Sequence, residues 1–237
     1  MPVKGKGFMI WKVRDCEGGN PSIIATEAQK AGLTHVLIKI ADGASPYNIV
    51  NNVDQVPAVL QALKSKGIQA WGWHYVYGDN PIGEAQIAIS RVLQLGLDGY
   101  VIDAETQYEL PGREDNASLF MNELRRSLAT TPIALSSFRF PTLHPNLPWK
   151  IFLDKCDLNM PQVYWQAAHN PEEQLKRSVR EFQALTPVRP ILPTGPVYRY
   201  GDWYATPQDI VEFLKATQTL SIDAVNFFTW DYRNILG

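Results

Sequence analysis

Gly99-Tyr100-Val101-Ile102-Asp103-Ala104-Glu105 is an apolar run that stops on two acids. Side chains of an extended strand alternate between faces. Asp103 and Glu105 therefore leave the same face, with their Cα atoms roughly 6.5–7 Å apart. An unpaired buried carboxylate is costly, so two acids on one face of an apolar strand are a poor construction for stability alone. They suit acid–base chemistry, which needs positioned proton-transfer groups. A salt-bridged or capping pair at a strand end is the plainer alternative.

The run lies between helical stretches at 81–95 and 114–128, and the same rhythm continues in both directions. Eight apolar strand-like runs fall at 7–13, 34–40, 68–76, 100–104, 133–137, 158–164, 189–194 and 224–230. Seven helical stretches fall near 21–31, 53–66, 81–95, 114–128, 147–155, 171–185 and 206–219. Asn20-Pro21, Asn80-Pro81, Asn170-Pro171 and Thr206-Pro207 each set a capping side chain before a proline suited to the first helical position. Gly32, Gly67 and Gly96 fall where helix ends take a left-handed residue. Val56, Val59, Leu60 and Leu63 have the spacing of one apolar helical face.

Eight strands alternating with helices in 237 residues predict an α/β fold, a single (β/α)8 barrel of the TIM type over residues 1–237. The sequence ends seven residues after Trp230, so the eighth outer helix is expected to be missing or to lie elsewhere. An open, doubly wound sheet is the rival. No Gly-rich phosphate loop follows the first strand, which argues against its nucleotide-binding version. No internal repeat or low-complexity tract marks a domain boundary.

A barrel of this kind carries its active site at the carboxyl ends of its strands. Polar and aromatic residues collect there. The second strand delivers Lys39 and Asp42, the third His74 and Tyr75, and the fourth Asp103 and Glu105. Ser136 ends the fifth, Gln162, Tyr164 and Trp165 the sixth, and Trp230 and Tyr232 the eighth. Each has a plain reading beside the functional one. Lys39 is a buried lysine paired with a carboxylate, or a Schiff-base amine. His74 is a hydrogen-bonded core histidine or a substrate contact. Trp230 and Tyr232 are core residues or a stacking platform for sugar rings. His74 with Asp103 and Glu105 makes a poor metal set with its one histidine, so no metal and no cofactor is expected.

Composition narrows the partners. The net charge is −2 and no Lys/Arg run exists, which points away from nucleic acid. No segment approaches the ~18 apolar residues of a membrane span. The apolar stretch near the N-terminus is too short for a secretory signal. A soluble protein made in the cytosol is expected, and where it acts is open. Cys16 and Cys156 show neither zinc spacing nor a disulfide framework, and reduced thiols are expected. Seven Trp and ten Tyr suit a site that stacks on sugars. Oligomeric state is not legible.

The ordered motifs resemble the lysozyme-type muramidases of glycoside hydrolase family 25. Lys39-Ile-Ala-Asp42-Gly43 is similar to that family's Lys-x-x-Glu-Gly, and Trp73-His74-Tyr75 to its Tyr-His-Phe. Glu84-Ala85-Gln86-Ile87-Ala88 resembles its helix start. Asp103-Ala104-Glu105 matches Asp-x-Glu, and Trp230-Asp231-Tyr232 resembles Trp-Gln-Tyr. Asp-x-Glu also ends the fourth strand of chitinase-type barrels. The first strand departs: Gly7-Phe8-Met9-Ile10-Trp11 has no acid where the family has Gly-x-Asp-x-Ser.

The resemblance implies a glycoside hydrolase acting on a β-linked, N-acetylated polysaccharide, with bacterial cell-wall peptidoglycan foremost. Glu105 would be the general acid, its pKa raised by burial among Tyr75, Trp165 or Trp230 and by the charge of Asp103. Asp103 would stay ionised as the stabilising carboxylate. Lys39, Asp42, His74, Tyr75, Ser136, Gln162, Tyr164, Trp165, Trp230 and Tyr232 would line the substrate. The missing first-strand acid motivates a second class, a catalytically silent glycan-binding or structural barrel. A lyase using Lys39 is the third.

Overall fold

The computed structural model describes residues 3–231. Eight strands form the barrel: β1 (Gly5–Ile10), β2 (His35–Asp42), β3 (Gln69–Val76), β4 (Gly99–Ala104), β5 (Ile133–Phe138), β6 (Leu158–Gln162), β7 (Thr194–Pro196) and β8 (Ala224–Phe228). Each is hydrogen-bonded to the next in parallel, and β1 pairs with both β2 and β8. That double pairing closes the sheet and excludes the open, doubly wound alternative.

Seven α-helices among the described residues join the strands: α1 (Pro21–Lys30), α2 (Val56–Ser65), α3 (Pro81–Leu95), α4 (Arg113–Ser127), α5 (Trp149–Lys155), α6 (Pro171–Gln183) and α7 (Pro207–Thr219). The place of an eighth helix after β8 falls mostly beyond residue 231, outside the described residues. Among them no helix is long and apolar enough to cross a membrane.

The helix punctuation follows local chemistry. Asn20 accepts from the backbone N–H groups of Ser22 and Ile23, and Asn80 from that of Gly83. Thr206 and Asp209 cap α7 reciprocally. Asn170 departs, since its amide donates to the Glu173 carboxylate at 2.8 Å and caps nothing. Gly32, Gly67 and Gly96 close their helices at φ 65°, 70° and 56°.

Several boundaries move: β1 covers Gly5–Ile10 where 7–13 was expected, and β6 and β8 stop at Gln162 and Phe228, short of 164 and 230. The helix expected from residue 53 begins at Val56, because Ile49–Val50 and Val53–Asp54 pair as a small hairpin. The seventh strand runs over Thr194–Pro196, not 189–194. Pro190 and Pro193 have no N–H to give to a ladder, and between them Ile191 makes an isolated bridge to β6.

Alternation assigns the faces. Met9, Leu37, Trp71, Trp73, Val101, Ala134, Leu158, Met160 and Leu192 point inward and fill the barrel. Ile10, Ile38, Ile40, Ile102 and Leu135 point outward against the helices. At the barrel foot His35 Nε2 meets Asn226 Oδ1 at 2.7 Å. Burial lowers the His35 pKa to about 4, so this imidazole is neutral. Gly7 lies against the pair. A methyl group there would sit 2.7 Å from Asn226 Oδ1 and closer still to His35 Nε2. Gly7→Ala is expected to lower stability by about 1–3 kcal/mol through overpacking, read as a lower urea midpoint at unchanged m-value. A midpoint equal to wild type would show that the barrel foot has room to spare.

Candidate active site

The inward alternation of β4 that buries Val101 also buries Asp103, and Glu105 follows half-buried at the rim. Gln162, the last residue of β6, reaches both acids. Its Nε2 donates to Asp103 Oδ1 at 2.8 Å and Glu105 Oε1 at 2.8 Å, with Ser136 Oγ at 3.4 Å. One amide nitrogen thus holds both carboxyls. Burial, and then the charge of Glu105, push the Asp103 pKa well above the carboxylate range; Lys39 and the Gln162 amide oppose the rise. Asp103 lies deeper than Glu105, so desolvation falls on it and favours its protonated form, against the expectation that it stays ionised.

Lys39 stands across the rim. Its Nζ lies 2.5 Å from Asp42 Oδ2. The rings of Tyr47, Trp73, Trp11 and Tyr75 surround it at 4.4, 4.9, 5.6 and 5.8 Å from centroid to nitrogen. A register shift in β2 between Lys39 and Ala41 brings residues three apart onto one side. Tyr77 donates to the other Asp42 oxygen at 2.8 Å. Asn48 ties the box together, donating to the carbonyls of Trp11 and Lys39 and accepting from Val13 N–H. Lys39 is thus the paired, buried lysine. An ammonium held by a carboxylate and aromatic faces is not poised as a nucleophile, which leaves the lyase reading without support.

Aromatic side chains make the remaining wall. The Phe228 ring lies 6.1 Å from those of Trp73 and Tyr164, and Tyr198 lies 5.6 Å from Tyr164. Burial, with Tyr198, Asp103 and Glu105 nearby, pushes the Tyr164 hydroxyl well up, so it stays a donor. Tyr75 donates to Gln107 Oε1 at 2.8 Å. Beside the carboxyls opens a cavity of about 350 Å³ whose walls include Phe138, Arg139, His144, Gln162, Tyr164 and Gln166. A larger cavity of about 710 Å³ lies among charged side chains of α6 and α7 and holds no part of the carboxyl pair.

Asp103, Glu105, Ser136, Gln162 and Tyr164 come together around the carboxyl pair. Lys39, Asp42 and Tyr75 gather in the adjoining aromatic box. His74 does not join them. It lies outside the barrel wall, fully buried, with Nδ1 2.8 Å from Tyr100 Oη and Nε2 2.7 Å from Gly43 O. Burial lowers its pKa to about 4. Trp165 also faces outward, against Phe213 at 5.0 Å. Trp230 is turned away because β8 ends at Phe228; it packs on Phe8 at 5.6 Å and donates to Glu17 at 3.1 Å. These three bury rings in the helix layer, so they are not stacking platforms. Tyr232 lies outside the described residues. Trp11, Trp73, Phe228, Tyr198 and Gln107 are site residues that the sequence reading passed over. Period two from Trp71 would have found Trp73, and period two from Ala224 would have found Phe228.

No protein-family model and no curated protein matches this sequence. Solved structures do match in fold. A chitinase from Bacteroides thetaiotaomicron superposes with a TM-score of 0.72 at 12% identity, over 96% of this chain and 89% of that one. A chitinase from Chromobacterium violaceum ATCC 12472 gives 0.69 at 11% identity, over 99% and 98%. A glycoside hydrolase family 5 protein from Bacteroides vulgatus ATCC 8482 gives 0.65 at 12% identity, over 95% of this chain and 57% of that one. The barrel is therefore of the kind that chitinases and other glycoside hydrolases use.

The raised pKa of Asp103 has a signed consequence. The native protein holds this proton more tightly than the unfolded chain, whose Asp titrates near about 3.9. That contribution is complete below the unfolded pKa and is lost as pH rises toward the folded one. Asp103→Asn lacks it. Between pH 4 and 7, wild type is expected to lose stability relative to Asp103→Asn, by up to about 1.4 kcal/mol per pH unit. Urea titrations of both proteins at several pH values check this, and parallel curves would mean that Asp103 ionises as an ordinary aspartate.

Proposed function

We propose that the protein is a glycoside hydrolase that cleaves β-linked polysaccharides of N-acetylated sugars, with bacterial cell-wall peptidoglycan as the leading substrate. One observation carries the proposal: two rim carboxyls held by a single amide nitrogen, the deeper one with its pKa raised by burial and by its neighbour's charge. The barrel shared with chitinases supports it, and so do the motifs similar to family 25.

The geometry selects among mechanisms. Separate acid and nucleophile carboxyls stand about 5–5.5 Å apart in retaining glycosidases, and about 6.5–9.5 Å apart in inverting ones, on opposite sides of the bond. Two carboxyls on one face of one strand end, bonded to one amide nitrogen, do not straddle a sugar. They act as one acid unit. The nucleophile then comes from the substrate, as the carbonyl oxygen of the acetamido group. That oxygen attacks the anomeric carbon as the glycosidic C–O bond breaks. Glu105, the more exposed carboxyl, gives the leaving oxygen a proton supplied from Asp103. Asp103, now anionic, holds the positive charge that develops on the acetamido group. Water then opens the cyclic intermediate and returns a proton to Glu105, with net retention. Tyr164 donates to the acetamido group, and Tyr75, Trp73 and Phe228 supply ring surface to the sugars.

Glu105→Gln keeps shape and removes the transferable proton. Release of reducing ends from purified cell wall and from chitohexaose is expected to fall about 10²-fold or more, with the urea midpoint nearly unchanged. Asp103→Asn is expected to slow the reaction as well, because the charge opposite the developing cation is gone. Activity should fall on the alkaline side as the pair loses its shared proton. A wild-type protein that binds wall or chitohexaose and never releases reducing ends would sink the hydrolase and leave a silent glycan-binding barrel.

A further inference from the structure

Arg139 follows β5 and forms part of the wall of the 350 Å³ cavity beside Gln162 and Tyr164. It is half-buried. Its guanidinium lies 5.0 Å from the centroid of the Phe140 ring. Arg177 approaches the same ring at 3.9 Å, but Arg177 has a carboxylate of its own, with Nε 2.7 Å from Glu181 Oε1. Among the described residues no carboxylate pairs with Arg139. Two cations therefore share one ring, and the one acid beside them pairs with Arg177.

A partly desolvated guanidinium without a counter-ion is costly to keep. Burial and the neighbouring Arg177 both work against its charge, and only Tyr198 favours it. Its planar fork of N–H donors matches a carboxylate two-point, whereas neutral hydroxyls leave the charge unpaired. The same cavity is lined by Gln162, which holds the acid pair, so a sugar filling it lies next to the reacting bond.

We propose that the cavity between Phe138, Arg139, Gln162 and Tyr164 is a subsite for a sugar that carries a carboxylate, with Arg139 as the group that recognises it. The proposal rests on the glycoside hydrolase reading and deepens it: the glycan is anionic at a sugar adjoining the cleaved bond. The carboxylate belongs either to a lactyl ether on an N-acetylated amino sugar or to C6 of a uronic acid.

Four probes separate the possibilities: chitohexaose, which is neutral; peptide-free cell-wall glycan strands, which carry lactyl carboxylates; the same strands with those groups converted to methyl amides; and hyaluronan oligosaccharides, which carry uronic acids. The readout is the ratio of kcat/KM on a carboxylated probe to that on chitohexaose. Arg139→Gln is expected to lower this ratio about tenfold or more, the worth of a charge-assisted pair. Arg139→Lys keeps the charge without the fork and should fall between. A wild-type preference for lactyl strands assigns the lactyl source, and one for hyaluronan the uronic acid. Equal handling of carboxylated and amidated strands by wild type, or an unchanged ratio in Arg139→Gln, overturns the subsite. Calorimetric binding of the probes to Glu105→Gln, with and without Arg139→Gln, reads the same preference without turnover. If wild type hydrolyses none of the probes, the hydrolase reading fails by itself, and binding alone decides the fate of Arg139.

Discussion

Closure of β1 (Gly5–Ile10) against β8 (Ala224–Phe228) is the constraint on which the rest of the molecule depends. Once the sheet is closed, every strand has a defined inside, and period two commits each residue to the interior or to the helix layer. The interior is narrow enough to be filled by side chains. Its foot takes the neutral His35–Asn226 pair beside Gly7, its middle takes Trp71, Leu37 and Met160, and its top takes the charged groups. The site is the last layer of the barrel's own core, opened to solvent at the strand ends.

That layer gathers three carboxyls, of Asp42, Asp103 and Glu105, with one ammonium, of Lys39. Like charges at this spacing cannot all persist in a half-buried place. Two devices relieve them. The raised pKa of Asp103 favours its neutral form, which lessens the negative charge of the pair. Lys39 spends its charge on Asp42 and on four ring faces that stand in for water. The same aromatic residues that make the box stable present ring surface at the rim. Under the proposed function, stability and sugar binding would draw on one set of side chains.

The sequence by itself determined the barrel and the key acids. Capping residues, helix-ending glycines and apolar runs are local signals, and they survive folding because each depends on neighbours in the chain. Asp103 and Glu105 share a side because they are two residues apart on a strand, which needs no tertiary information. Gln162 and Tyr164 were legible for the same reason, lying two apart on an inward-facing register. The errors come from residues placed on the rim without regard to that register. His74 and Trp165 sit one residue from Tyr75 and Tyr164, and a step of one changes the face. Trp230 obeys the period on paper, but β8 stops at Phe228 and the chain turns it outward. Only the tertiary structure decided that the Asp103 pKa is raised. Protonation depends on depth and on the charges across the barrel, and no spacing along the chain encodes either. The same holds for the pairing of Lys39 with its box and for the unmatched charge of Arg139, which arise from residues far apart in sequence that closure alone brings into contact.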